Sequence, residues 1–212
     1  MEAAKQKPGE QKEKRMGIFA KIRLFFSELR EYNKIAKIDE IARRYFLMNV
    51  FDGVMTILGM IMGSMFSNSG NPHLIINVGI GAAVAMVVSG IWGAYTAEHA
   101  ERIRELKGLE KATLRKLKNT KIARAFGTAE VIIAFIDGIS PLTATFIILV
   151  PFFFTALSLD TMYTLSIAIA FSVLAILGVF TAVISKERIM PSVFKMILAG
   201  ALSAIIGKLL IK

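Results

Sequence analysis

"LIINVGIGAAVAMVVSGIWGAYTA", residues 74–97, contains no charged side chain, and "TMYTLSIAIAFSVLAILGVFTAVIS", residues 161–185, is equally uncharged. At about 1.5 Å per residue, each run is long enough as a helix to cross a hydrocarbon core roughly 30 Å thick. The rest of the chain follows from these two stretches. With 55% hydrophobic residues in 212, the chain has more apolar surface than a water-exposed domain of this size needs to bury. Three further segments qualify as spans once isolated charges are allowed: 46–66 with Asp52, 125–159 with Glu130 and Asp137, and 190–211 with Lys195 and Lys208 near its ends. Lysines so placed reach the headgroups along their own aliphatic stems. The expectation is an all-α integral membrane protein of five transmembrane helices, entering the bilayer through its own spans with no cleaved signal peptide.

Charge sets the expected orientation. Lys and Arg number twelve in 1–45, nine in 98–124 and two in 186–188, and the links 67–73 and 158–162 hold none. The positive-inside rule then puts the N-terminus in the cytoplasm and the C-terminus outside. The net charge of +10 is read as topological, not as a nucleic-acid footprint. Without cysteine there are no thiolate ligands, disulfides or thiol redox chemistry. There is also no phosphate-binding Gly-rich loop and no H-E-x-x-H, so no enzyme is expected.

Residues 1–15 are polar and expected to be disordered. Residues 16–45 place Ile18, Ile22, Phe25, Phe26 and Leu29 at helical spacing against Lys21, Arg23 and Arg30. That pattern is a basic amphipathic helix, suited either to an anionic inner leaflet or to packing on the protein's own cytoplasmic face. From 46 to 212 the chain is read as the five-helix membrane domain, with 98–124 as a charged, amphipathic helical segment on its cytoplasmic side, too short to be a separate large domain. Gly59 and Gly63 form a GxxxG that lets another helix approach closely, and Gly79, Gly81, Gly90 and Gly93 mark the second span for similar contact. The first and second spans are therefore expected to form a tightly packed pair.

The first span, "NVFDGVMTILGMIMG" (49–63), holds one acid. An ionised Asp in a membrane helix costs about 2.5–3.5 kcal/mol on insertion scales and normally faces a cavity or a partner. Met48, Asp52, Met55, Gly59 and Met62 share one helical stripe, with Asn49 and Thr56 beside it. Carboxylate, amide, hydroxyl and thioether groups on one cavity suit a borderline divalent ion such as Fe(II) or Mn(II). "FIDGISPL" (135–142) echoes "VFDGVMTI" (50–57), so Asp137 should lie in the same half of the membrane, on the order of 15 Å in, against about 10 Å for Asp52. Pro141 is expected to kink or break that helix and free its carbonyls.

Past the second span, Glu98, Glu101 and Glu105 fall at i, i+3, i+7 on one face, with His99 close by. Like charges at that spacing need a cation between them. A metal ion is one candidate, and neutralisation by Arg102, Arg104 and Lys107 is the other. Glu130, near the cytoplasmic mouth of the third span, is placed to relay ions or protons inward.

Residues 40–212 resemble the vacuolar iron transporter family. The likeness is carried by Asp52, Gly53, Gly59 and Gly63 in the first span, "GAYTAEHAER" (93–102), "DGISPL" (137–142) and "MILAGALSAIIGKLL" (196–210). Ala94 stands where that family has the Glu of a Gly-Glu-Tyr, and the segment 98–124 is short and has no Met. The resemblance implies export of Fe(II) or Mn(II) from the cytoplasm in exchange for protons, by a homodimer with the path between subunits. It further implies that Asp52 is the intramembrane ligand and proton carrier, with Met86 as its partner, and that Glu98, Glu101 and Glu105 collect the ion. No permanently bound cofactor is expected, and a prokaryotic cell membrane is the expected location. The competing expectation is a non-transporting scaffold or sensor whose acids are structural.

Overall fold

A computed structural model describes residues 18–67, 71–154 and 156–210. The polar tail expected to be disordered, 1–15, lies outside the described residues. The helices are α1 (Ile18–Ala36), α2 (Ile38–Phe66), α3 (Pro72–Thr113), α4 (Lys121–Leu149), α5 (Leu159–Ser185) and α6 (Ile189–Leu210), with a 3-10 turn Val150–Phe153 after α4. Among the described residues there is no strand. Of the six α-helices among the described residues, five, α2 to α6, are long and apolar enough to span a membrane.

Local chemistry sets several boundaries. Asn71 accepts from the His73 amide at the start of α3, with Pro72 in the first turn, where its missing N–H costs nothing. Thr120 and Ser158 cap α4 and α5 in the same way, through the amides of Ala123 and Thr161. Lys37 separates α1 from α2 in the left-handed region at φ 51°. The first membrane helix therefore begins at Ile38, and residues 38–45, expected in the amphipathic helix, belong to it.

Two other expectations are sharpened. The charged segment 98–124 is helical to Thr113 and continuous with the second span: α3 runs unbroken for 42 residues, about 63 Å, far beyond a bilayer core, so its last turns carry the charges clear of the apolar zone. "ERIRELKGLEKAT" is rich in strong helix formers, and nothing in it stops the helix before Leu114 adopts a left-handed conformation. The second half of α1 packs on the protein itself, and the side chains of Ile18, Ile22, Phe25 and Phe26 lie outside the described ones. Leu29, Tyr32, Ile35 and Ala36 pack with Ala125, Phe126, Ala129 and Ile133 of α4, and Lys121 of α4 reaches Glu31 at 2.9 Å. That ion pair is exposed on both sides, so Lys121→Ala is expected to change stability by less than about 0.5 kcal/mol in thermal unfolding.

The first and second spans, expected as the tight pair, meet only sparsely, and both pack chiefly on α4. Half of the apolar window of α4 is buried inside the protein, and no other span exceeds 33%. Small residues make that centre possible. A Cβ on Gly138 would lie 2.9 Å from the Val87 carbonyl oxygen and one on Gly53 would lie 2.8 Å from the Pro141 Cα. Gly79 makes a close approach to Leu149, whereas Gly59, Gly81 and Gly93 meet nothing. The GxxxG at Gly59 therefore makes no helix contact within the chain at that position. Gly53→Val pushes against backbone and should cost about 1–3 kcal/mol, whereas Gly59→Ala should leave thermal stability unchanged.

Pro141 does not break α4, which continues as one helix to Leu149. The ring sits where Gly53 has no side chain, so α2 can close over the proline, and the Thr145 hydroxyl donates to the Pro141 carbonyl at 2.9 Å.

Candidate functional site

The helices α2 and α4 run parallel with a constant register. Asn49 meets Asp137 and Gly53 meets Pro141, each pair 88 residues apart in sequence. Asp52 is therefore level with Ser140, about one turn farther from the basic end of the bundle than Asp137. This reverses the expected depths, because α2 enters the bundle eight residues earlier than its apolar run shows. Both acids do lie in the same layer. It separates an apolar cluster of α1 and α4 at the basic end from a larger one around Val54, Ile57, Leu58, Ile148 and Leu149.

Asp137 is 4% exposed, and Asn49 Nδ2 donates to its carboxylate. Its other oxygen faces Gly90 of α3, where a Cβ would come within 3.2 Å. Asp52 is close enough to Asp137 for the two carboxylates to repel, yet it is exposed on the outer side of α2. Its stripe faces the same way: Met48, Thr56 and Gly59 are exposed, and Met55 and Met62 half-buried. Met86 is half-buried on α3, one helical turn from Gly90 on the side away from the basic end.

From Asp137 a polar file continues toward the basic end. Asn49 Nδ2 also donates to the Tyr45 backbone carbonyl at 3.2 Å, one turn back in its own helix, and the Tyr45 phenol, at the other end of that residue, lies near Glu98 of α3. Glu98, 7% exposed, lies 3.6 Å from Arg102, which also reaches Glu105 at 3.0 Å. Arg102 is itself buried, donates to the Ala36 carbonyl at 2.9 Å and lies over the Phe126 ring. It thereby fastens the α1–α2 joint to α3 and α4. Beside this file, Glu130 of α4 is buried and bonded to His99 Nδ1 at 3.0 Å, and His99 stacks on Tyr95. Glu130 lies two turns from Asp137, about 10 Å along α4.

Of the residues singled out from sequence, Asn49 meets Asp137, with Asp52 within electrostatic reach of it, and Glu98 lies apart from them beside Arg102. The three glutamates do not converge. Arg102 stands four residues after Glu98 and three before Glu105, on their shared face, and Glu101, 64% exposed, turns to Arg104 at 3.7 Å. Among the described residues no three His, Asp or Glu side chains form a group able to hold a metal ion. Tyr45 is the member that sequence reading missed, and its signal was spacing alone, one turn before Asn49. Arg102, expected as one possible neutraliser of the glutamates, pairs with Glu98 and Glu105.

No family model matches the chain. It is similar to the protein described as "Uncharacterized protein MJ0645" of Methanocaldococcus jannaschii, 37% identical over 170 residues that cover 79% of this chain and 86% of the relative.

Proposed function

We propose that this chain, which belongs to the same family as the Methanocaldococcus jannaschii protein, moves a divalent transition-metal ion, Fe(II) or Mn(II), out of the cytoplasm in exchange for protons. The observation that carries this reading is the pair of acids in the middle layer of an apolar bundle, Asp137 buried against Asn49 and Asp52 within electrostatic reach of it. A purely structural bundle gains nothing from two acids in its middle layer, since each charge there costs about 2.5–3.5 kcal/mol. No Lys or Arg pairs with Asp52 among the described residues, so its counter-charge must come from cargo or from protonation.

In this mechanism the basic end faces the cytoplasm, the side that its Lys and Arg content favours. The ion enters along the file and is held by the carboxylates of Asp52 and Asp137, with the Asn49 side-chain oxygen and the thioethers of the Asp52 stripe as further donors. Protonation of Asp52 from the outer side removes the charge that holds the ion and releases it. Capture at Glu98, Glu101 and Glu105 must displace arginine, so binding is assigned to the intramembrane pair. The exposure of Asp52 next to the open Gly59 supports a homodimer in which the second copy covers this face. The location is a prokaryotic cell membrane, with no resident cofactor and no catalytic chemistry. The resemblance to vacuolar iron transporters supports Fe(II) and Mn(II) as the ions to test first.

The scaffold reading draws on one observation, the arginine partners of all three glutamates. It accounts for those side chains and leaves Asp52 unexplained. Calorimetry with Mn(II) on the detergent-solubilised protein tests the choice. Saturable binding that is lost in Asp52→Asn and weakened at least about tenfold in Asp137→Asn supports transport, a loss of the size expected for removing a charged ligand. No saturable binding to the wild type overturns it.

A further inference from the structure

Between α1 and α4, at the basic end of the bundle, lies an open groove of about 610 Å³, a size that suits a small ligand. Glu28 and Tyr32 stand on its α1 wall, and Arg124, Gly127, Val131 and Ile132 on its α4 wall. The space over Gly127 is open, since a Cβ there would meet nothing within 4 Å. The groove straddles the membrane boundary. Because α2 and α4 keep an offset of 88 residues, Arg44, the last basic residue of α2, is level with Ile132. A headgroup layer of roughly 5–7 Å takes up about four or five helical residues beyond that level, which brings it to Gly127. Arg124 lies one turn further, within reach of its long side chain. Toward the bilayer, Val131 and Phe135 are each 59% exposed and form an apolar strip that starts at this boundary. The two charges in the groove are opposite and stand on facing walls, yet among the described residues neither Glu28 nor Arg124 forms an ion pair. Three residues away on each helix, Glu31 and Lys121 do meet, at 2.9 Å. The same two helices thus close on one complementary pair and leave the next one open.

We propose that this groove binds a membrane phospholipid whose headgroup joins a phosphate to a primary amine, of the phosphatidylethanolamine type. The phosphate meets Arg124, the ammonium donates to Glu28, and an acyl chain lies along Val131 and Phe135. A headgroup with phosphate alone would leave Glu28 beside a like charge, and a quaternary ammonium has no N–H to donate. Only the dipolar headgroup with a primary amine satisfies both walls. The site is separate from the acids of the middle layer: Arg124 is thirteen residues from Asp137, about 20 Å along α4. It stands whether or not the chain carries metal.

The full chain in detergent is titrated with phosphatidylethanolamine, phosphatidylcholine and phosphatidylglycerol of matched acyl chains, and bound lipid is read by native mass spectrometry. Phosphatidylethanolamine should bind roughly tenfold more tightly than the other two, the size of one charge-assisted hydrogen bond. Glu28→Gln should erase that preference, and Arg124→Gln should weaken all three. Both side chains are exposed, so neither change should unfold the chain. Gly127→Leu, which fills open space in a helix, should remove the bound lipid and so locate it in this groove. Equal binding of the three lipids, a preference for phosphatidylglycerol, or a phosphatidylethanolamine preference that survives Glu28→Gln or Gly127→Leu overturns the proposal. So does a lipid-free dimer that Gly127→Leu separates, which would put a second copy of the chain in the groove.

Discussion

Asp52→Asn is expected to abolish metal-dependent proton movement in proteoliposomes. The variant keeps the size and hydrogen-bonding reach of the side chain and removes only the ionisable oxygen. If Asp52 carries both ion and proton, the loss is complete, because one group holds the two species in turn. Stability should rise or stay level, since an exposed charge at membrane depth is costly and its removal relieves repulsion with Asp137. A variant that folds as well as wild type but no longer exchanges would separate function from structure at this residue. Retained flux would move the carrier role to Asp137.

Arg102 should produce the largest loss of stability. It is buried, reaches Glu98 and Glu105, donates to the Ala36 carbonyl and covers the Phe126 ring. Removing one partner of a buried pair leaves the other charge without compensation, and Arg102→Met is expected to cost about 3–5 kcal/mol in denaturant or thermal unfolding. The double variant Glu98→Gln/Arg102→Met should recover part of that loss, because no unpaired charge then remains near Tyr45. A single variant as stable as wild type would mean that Glu98 finds another partner, and the tie between α3 and the α1–α2 joint would not hold the fold.

How far the sequence reaches is clearest at α3. Its first 26 residues read as a span because they contain no charge, but hydropathy stops reporting at Glu98, whereas helix propensity continues to Thr113. The break at Lys37 left no trace because the residue in the left-handed region is neither Gly nor Asn. Glycines along the second span were legible as contact points, but not the helix they contact: Gly90 serves Asp137 of α4, and Gly81 and Gly93 face open space. Asp52 and Asp137 stood out one by one as costly acids. That Asn49 joins Asp137 to Tyr45 depends on the register of α2 against α4, which two Asp-Gly pairs 85 residues apart misplace by three residues. The glutamate ladder was visible as a face, and so was the arginine in it. Deciding between cargo and arginine required knowing that Arg102 is buried.

The most direct test of proton-driven metal export uses the wild-type chain in vesicles with an acidic lumen and an enclosed Mn(II)-quenched dye. Addition of external Mn(II) should quench the dye and raise lumenal pH together, with Mn(II) accumulating above its external level until a protonophore collapses the gradient. Mn(II) entry no faster than in protein-free vesicles, or entry that leaves lumenal pH unchanged, would contradict the account.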